Sequence, residues 1–154
     1  MKLARTCLLP SAPAIALLLL TACHSGAGHG GSGVPGDDQS NQPFTAISPD
    51  ETLHFVGTEP FWAGKARGGT LTYSTPSQPD GTKIPVKRFG GRNGLGLSGT
   101  FQGDTFDMTV TPGACSDGMS DRRFPFTATL NIGGDIREGC AWTDSKPFSE
   151  PQSP

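Results

Sequence analysis

The residues best suited to chemistry lie in two short segments, residues 57–62 and residues 115–122. The first places the carboxylate of Glu59 three residues before Trp62, and the second carries two carboxylates and an arginine. An aromatic wall beside polar groups is suited to a sugar or a peptide. Because functional residues gather in the loops at the ends of small β-domains, we expect five side chains to meet at one rim. They are Glu59, Trp62, Asp117, Asp121 and Arg122.

These residues also have structural interpretations. Trp62 would then be a core aromatic or a plug at one end of the domain, and Asp117 and Asp121 would hydrogen-bond the backbone of a tight loop. Their spacing matches no known calcium loop, so we predict no metal site. Glu59 with Asp117 or Asp121 would form the carboxylate pair of a glycan hydrolase. No nucleophile motif accompanies them, and we assign no catalytic residue and no cofactor.

Residues 1–22 have the features of a lipoprotein signal peptide. Two basic residues precede an apolar stretch that two prolines interrupt and that is shorter than the roughly 20 residues of a membrane-spanning helix. Residues 20–23, Leu-Thr-Ala-Cys, resemble the bacterial lipobox. This resemblance implies that Cys23 carries a diacylglyceryl group and that its acyl chains hold the protein in a membrane. Because His24 follows instead of an aspartate, we expect the periplasmic face of the outer membrane.

The charge and composition of the remaining chain predict a tethered domain. Without residues 1–22 the chain has ten basic and fourteen acidic residues, a formal charge of −4, which predicts no nucleic-acid partner. Residues 23–43 are predicted to be the lipidated cysteine and a disordered Gly/Ser-rich tether. The folded domain should span residues 44–148, and residues 149–154 should form a frayed tail.

Apolar and polar side chains alternate with a period of two through the predicted domain. The clearest strands are Phe124–Ile132 and Asp104–Thr111, and turn-forming residues separate the others, among them residues 79–81. Six weaker strands are Leu53–Val56, Phe61–Ala66, Thr70–Tyr73, Lys83–Phe89, Gly96–Phe101 and Asp135–Trp142. About eight short strands joined by hairpins predict an all-β fold, a small antiparallel meander barrel in preference to a β-sandwich.

Cys115 and Cys140 are the two cysteines that remain once Cys7 leaves with the signal peptide and Cys23 is lipidated. In an oxidising compartment such a pair is expected to form a disulfide. The rival interpretation, a redox-active or metal-binding thiol pair, lacks a Cys-x-x-Cys motif and a nearby histidine ligand. We therefore predict a structural bridge.

The segments GTEPFW (residues 57–62) and CSDGMSDR (residues 115–122), together with Gly139–Ala141, resemble the hallmark segments of a known family. Its members are uncharacterised bacterial envelope lipoproteins and membrane proteins. A tyrosine is more usual in that family at the position of Phe124. The resemblance implies a location in the cell envelope and implies no activity.

The sequence thus predicts a lipid-anchored envelope protein that acts as a binding or structural module rather than as an enzyme. Its expected partners are the membrane, through the lipid, and an envelope protein, peptide or glycan. The architecture resembles the barrel lipoproteins that inhibit lysozyme. A lipocalin-like carrier is a further alternative, although Pro60 stands where the lipocalin Gly-x-Trp signature needs glycine. The alternative of a different class is a periplasmic glycan hydrolase.

Overall fold

The computed structural model describes residues 42–150, and eight β-strands account for most of them. Each strand pairs antiparallel with the next, and the last pairs with the first, so the sheet closes into an up-and-down barrel. This confirms the predicted all-β meander barrel. The strands are β1 Leu53–Thr58, β2 Phe61–Arg67, β3 Thr70–Thr75, β4 Gln78–Gly90, β5 Leu95–Phe101, β6 Asp104–Cys115, β7 Phe124–Ile132 and β8 Asp135–Thr143.

The alternation along each strand sends one set of side chains into the barrel and the other toward solvent. In β6 the inward set includes Phe106, Met108 and Val110, and in β7 it includes Phe126 and Leu130, all of which are buried. Each such side chain stabilises the fold by about 1.5–3 kcal/mol through burial. Large aromatic and aliphatic side chains therefore fill the interior.

Residues 79–81, predicted as a turn, instead lie within β4. The hairpin closes earlier because Thr75 pairs with Gln78, and the pairing then shifts before Tyr73 meets Thr82. The extra residues on β4 form a bulge, in which the glycine has a φ of 76°. Glycine adopts such a conformation without steric cost, so a turn signal and a bulge signal coincide here.

The two ends of the barrel differ. We call the end where β1 begins and β8 finishes the base, and the end with the β1–β2, β3–β4, β5–β6 and β7–β8 turns the top. At the base, Ile47 is buried against the core, and its carbonyl accepts a 3.2 Å hydrogen bond from Nη2 of Arg88. Burial lowers the pKa of the Arg88 guanidinium. Its Nε and Nη1 are buried without a hydrogen-bond partner among the described residues.

The end of the described chain is also held at the base. Ser149 and Arg123 exchange two backbone hydrogen bonds of 2.9 and 3.0 Å. Phe148 packs against Phe124 and Trp142, with ring centroids 5.4 and 5.5 Å apart. The structure thus pairs Ser149, the first residue of the predicted tail, while residues 151–154 lie outside the described residues.

Candidate functional site

A groove opens on the outer face of the barrel where β1 and β8 part. The two strands pair only from Leu53 with Thr143 to Val56 with Cys140, although both continue toward the top. We call the resulting space, about 380 Å³ in volume, the seam groove. Its lining includes Val56 and Thr58 from β1, Asp117 from the β6–β7 connection, threonines of β7, and Glu138 and Gly139 from β8.

The charge of the seam groove is acidic. Asp117 and Glu138 both line it, and none of its lining residues is basic, although Arg122 is near enough to Asp117 to interact with its charge. The hydroxyl groups of Thr58 and Thr129 add hydrogen-bonding capacity, whereas the Thr127 hydroxyl lies 2.7 Å from the Thr111 hydroxyl and bonds it. The groove therefore offers mainly acceptors and negative charge to a ligand.

Trp62 lies behind the seam groove, inside the barrel, and is 1% exposed. A Cβ atom built on Gly57 would clash with three atoms of its indole ring, and one built on Gly139 would lie 2.8 Å from Cζ2. The indole therefore lies behind both β1 and β8, in space that side chains at positions 57 and 139 would otherwise occupy. Its Nε1 is buried and has no hydrogen-bond partner among the described residues.

The disulfide between Cys115 and Cys140 is present, which confirms the predicted bridge. The two Cα atoms are 5.6 Å apart, a separation typical of disulfides. Cys140 is the first residue of β8 that pairs with β1, and Cys115 lines the seam groove. The bridge therefore fixes the start of the β6–β7 connection at the point where the groove begins.

Asp117 organises the β6–β7 connection. Its Oδ1 accepts hydrogen bonds from the backbone N–H groups of Ser120 (2.8 Å) and Met119 (3.1 Å), and its Oδ2 accepts one from the Ser120 hydroxyl (2.8 Å). The N–H and hydroxyl of Ser120 hold the pKa of this carboxyl below its usual range. This geometry is that of a capped loop, and Gly118 within it has a φ of 70°.

The structure does not bring the five predicted rim residues together. Glu59 is exposed in the β1–β2 turn at the top, where a cis peptide bond joins it to the following proline, whereas Trp62 is inside the barrel. Arg122 precedes β7 at the base, where it pairs with Glu150 at 3.1 Å and lies over the Phe148 ring. Asp121 is exposed beside it. Of the five residues, Asp117 alone lines the seam groove.

Sequence patterns had not indicated the strand residues of the seam groove. In the sequence, Glu138 and the threonines that line the groove resemble the polar residues on the solvent face of any strand. The available signal was the pair of glycines, Gly57 and Gly139, at inward positions of strands that otherwise carry larger side chains. A glycine in a strand often marks the close approach of another group, here Trp62.

The comparisons with known proteins return no match. No family model matches the chain, and neither a curated protein nor a solved structure matches it at a significant level.

A second polar pocket, of about 460 Å³, lies at the top of the barrel. Arg137 closes its floor by donating to the Tyr73 hydroxyl (2.7 Å) and to Asp135 (2.8 Å from Nε). Burial raises the pKa of Tyr73. Arg137, Tyr73 and Asp135 are thus hydrogen-bonded to one another, and Asp104 also lines this pocket.

The described part of the chain contains no cluster of three or more His, Cys, Asp or Glu side chains that could hold a metal ion. His54, on the outer face, donates through Nε2 to Oδ1 of Asp144 at 2.9 Å, and this hydrogen bond holds the pKa of Asp144 below the usual value. Within residues 42–150 no helix has the length and apolarity needed to cross a membrane. The signal peptide, Cys23 and residues 24–41 of the tether lie outside the described residues.

Proposed function

We propose that this protein is a lipid-anchored component of the bacterial cell envelope whose barrel is a non-catalytic binding module. The observation that carries the proposal is the seam groove, where two strands part above a disulfide-anchored loop. Because side chains fill the interior of the barrel, the outer surface is the better place for a ligand. The groove is within the size range of ligand sites.

The envelope location rests on the signal peptide, on the lipobox-like residues before Cys23 and on the disulfide. Disulfides persist in oxidising compartments such as the periplasm. If Cys23→Ser protein still incorporates labelled palmitate, the lipid anchor is refuted. A Cys7→Ser variant is the matched control and should be labelled like the wild type.

The state of Asp117 argues against its acting as the general acid of a glycan hydrolase. A general acid needs a raised pKa near neutral pH. The carboxyl of Asp117 instead accepts three hydrogen bonds within its own loop, and its pKa is lowered. Asp117 is thus suited to shaping the groove and to presenting negative charge there.

NMR titration with soluble peptidoglycan fragments and with envelope-derived peptides tests this proposal. Trp62 and Trp142 give the two indole N–H signals, and Trp142→Phe assigns them. A groove ligand should shift the Trp62 indole signal and the amides of Gly57 and Gly139. Thr129→Tyr, which fills the groove from its exposed wall, should abolish these shifts.

Thr100→Tyr on the exposed face of β5 is the matched control and should bind normally, because β5 lies across the barrel from β1. Signal shifts that persist in Thr129→Tyr would place binding elsewhere and refute the seam groove as the binding site. If the protein hydrolyses purified peptidoglycan and Glu59→Gln abolishes this activity, the protein is a glycan hydrolase instead of a non-catalytic binding module.

A further inference from the structure

The upper part of the seam leaves two strand edges without a partner among the described residues. Residues 135–139 of β8 pair with β7 alone, because β1 joins β8 only from Cys140 onward. Gly57 and Thr58 of β1 likewise pair with β2 alone. Such edges present backbone N–H and C=O groups, which an extended peptide satisfies by adding a strand.

The charge around these edges is one-sided. Glu138 extends from the free part of β8, and Asp117 faces it from the β6–β7 connection across the same groove. Glu59 follows the last residue of β1 and is exposed. The electrostatic complement of this surface is a cation, and complementary charge increases both the association rate and the specificity of binding.

Exposed apolar side chains flank the groove on the β2 side. Phe61 is 49% exposed and pairs with Thr58, which lines the groove. It also lines a smaller pocket of about 210 Å³, mostly apolar, that shares Val56 with the seam groove. The acidic groove therefore continues into an apolar surface.

Two further exposed apolar side chains are close in sequence to the acidic residues of the groove. Ile136, 66% exposed, lies two residues before Glu138 and so on the same face of β8. Met119, 68% exposed, lies two residues after Asp117. Four large apolar side chains are exposed in residues 42–150. Three of them are those named above, and the fourth, Phe89, is on β4. Exposed apolar groups gathered beside charged ones mark protein-interaction surfaces.

We propose that the seam groove binds an extended peptide segment of a partner protein, in which basic residues alternate with apolar ones. This inference rests on the proposed binding role of the groove and names its ligand class. The segment adds a strand to the free edge of β8. Because side chains alternate along a strand, the basic residues lie outward beside Glu138 and Asp117, and the apolar ones face the opposite way, toward the Gly57 and Gly139 backbone that covers the buried Trp62.

The test uses labelled eight-residue peptides in which lysine alternates with valine, measured by fluorescence anisotropy at low ionic strength. A peptide with glutamate in place of lysine is the reference for charge. We expect the lysine peptide to bind the wild type and the glutamate peptide not to bind. Glu138→Lys should weaken the lysine peptide at least about tenfold. Asp80→Lys, the same charge reversal on β4 across the barrel, should leave binding unchanged.

Two N-methylated versions test strand addition, one methylated at the lysines and one at the valines. Alternate N–H groups of an added strand point to opposite sides, so one version should lose binding and the other should keep more of it. Equal binding by both versions and the parent peptide, or unchanged binding to Glu138→Lys, overturns the inference. If peptidoglycan fragments shift the groove amides and no peptide does, the peptide inference fails while the proposed function stands. If neither does, both fail.

Discussion

Gly57→Ala should destabilise the barrel because Trp62 occupies the space that the new methyl group needs. A Cβ atom at position 57 would fall within 3.0 Å of three indole atoms, the most distant of them 2.8 Å away. Real Cβ atoms essentially never approach another heavy atom within 3.0 Å. The indole is 1% exposed and fixed in a packed interior, so it cannot move aside without displacing other core side chains.

The expected cost follows from this overlap. Overpacking a core by one methyl group costs 1–3 kcal/mol, and here we expect about 3 kcal/mol because a rigid ring takes the clash. Trp62→Leu removes Nε1 and Cε2, the two indole atoms nearest the added methyl group, and with them the buried Nε1 that has no partner among the described residues. In the Trp62→Leu background Gly57→Ala should therefore cost only about 1 kcal/mol, which gives a coupling energy of about 2 kcal/mol.

Urea unfolding of the four proteins in this double-mutant cycle, followed by far-ultraviolet circular dichroism, measures the effect. With an m value of about 1.5 kcal/mol per molar urea, Gly57→Ala should lower the midpoint by about 2 M. Gly113→Ala is the matched control, since the nearest atom to its Cβ is a methyl carbon of Thr127 at 3.8 Å. Gly57→Ala within 0.5 kcal/mol of the wild type, or zero coupling, would refute the packing of Trp62 against the seam.

Removing the disulfide with Cys115→Ser and Cys140→Ser should lower the free energy of unfolding by about 3.5 kcal/mol, since the bridge closes a loop across a sequence separation of 25 residues. An unchanged midpoint of urea unfolding would contradict this prediction. The lowered pKa of Asp117 means that its contribution to stability is present above about pH 4 and is lost as the pH falls through the folded-state pKa. Carboxyl NMR titration of the wild type and of Ser120→Ala should show that pKa returning toward its usual value in the variant. Arg88→Met should change the stability by less than about 1 kcal/mol, because the lost hydrogen bond from Nη2 to the Ile47 carbonyl is offset by removing Nε and Nη1, which are buried without partners among the described residues. A loss of more than about 2 kcal/mol in thermal unfolding would contradict this balance.

The strands of this barrel could be predicted because each carries one apolar face. The span Phe124–Ile132 agrees at both ends with β7, where the alternation is unbroken. β6 continues to Cys115, beyond the predicted Thr111, because a bulge after Pro112 breaks the period. Local alternation therefore indicated the number of strands and the short hairpin connections favoured a barrel, whereas alternation failed where a register shift intervenes.

The candidate site was harder to predict, for a physical reason. The loop motifs drew attention to Glu59 and Arg122, but a meander sends the β1–β2 turn and the β6–β7 connection out at different ends. The seam groove depends instead on where β1 stops pairing with β8, between Val56 and Gly57. A pairing between the first and last strands is set by the closure of the whole barrel, so no local window of sequence carries it.

The meander also gives the domain a direction. The chain reaches β1 at the base, and the seam groove opens from Val56 toward the top. Residues that lead into β1 stay at that end, where the Phe44 N–H bonds the Gly91 carbonyl and the Gly68 N–H bonds the Pro49 carbonyl. The segment that enters the barrel therefore lies at the end opposite to the one toward which the groove opens, so the described N-terminal residues leave the upper seam uncovered.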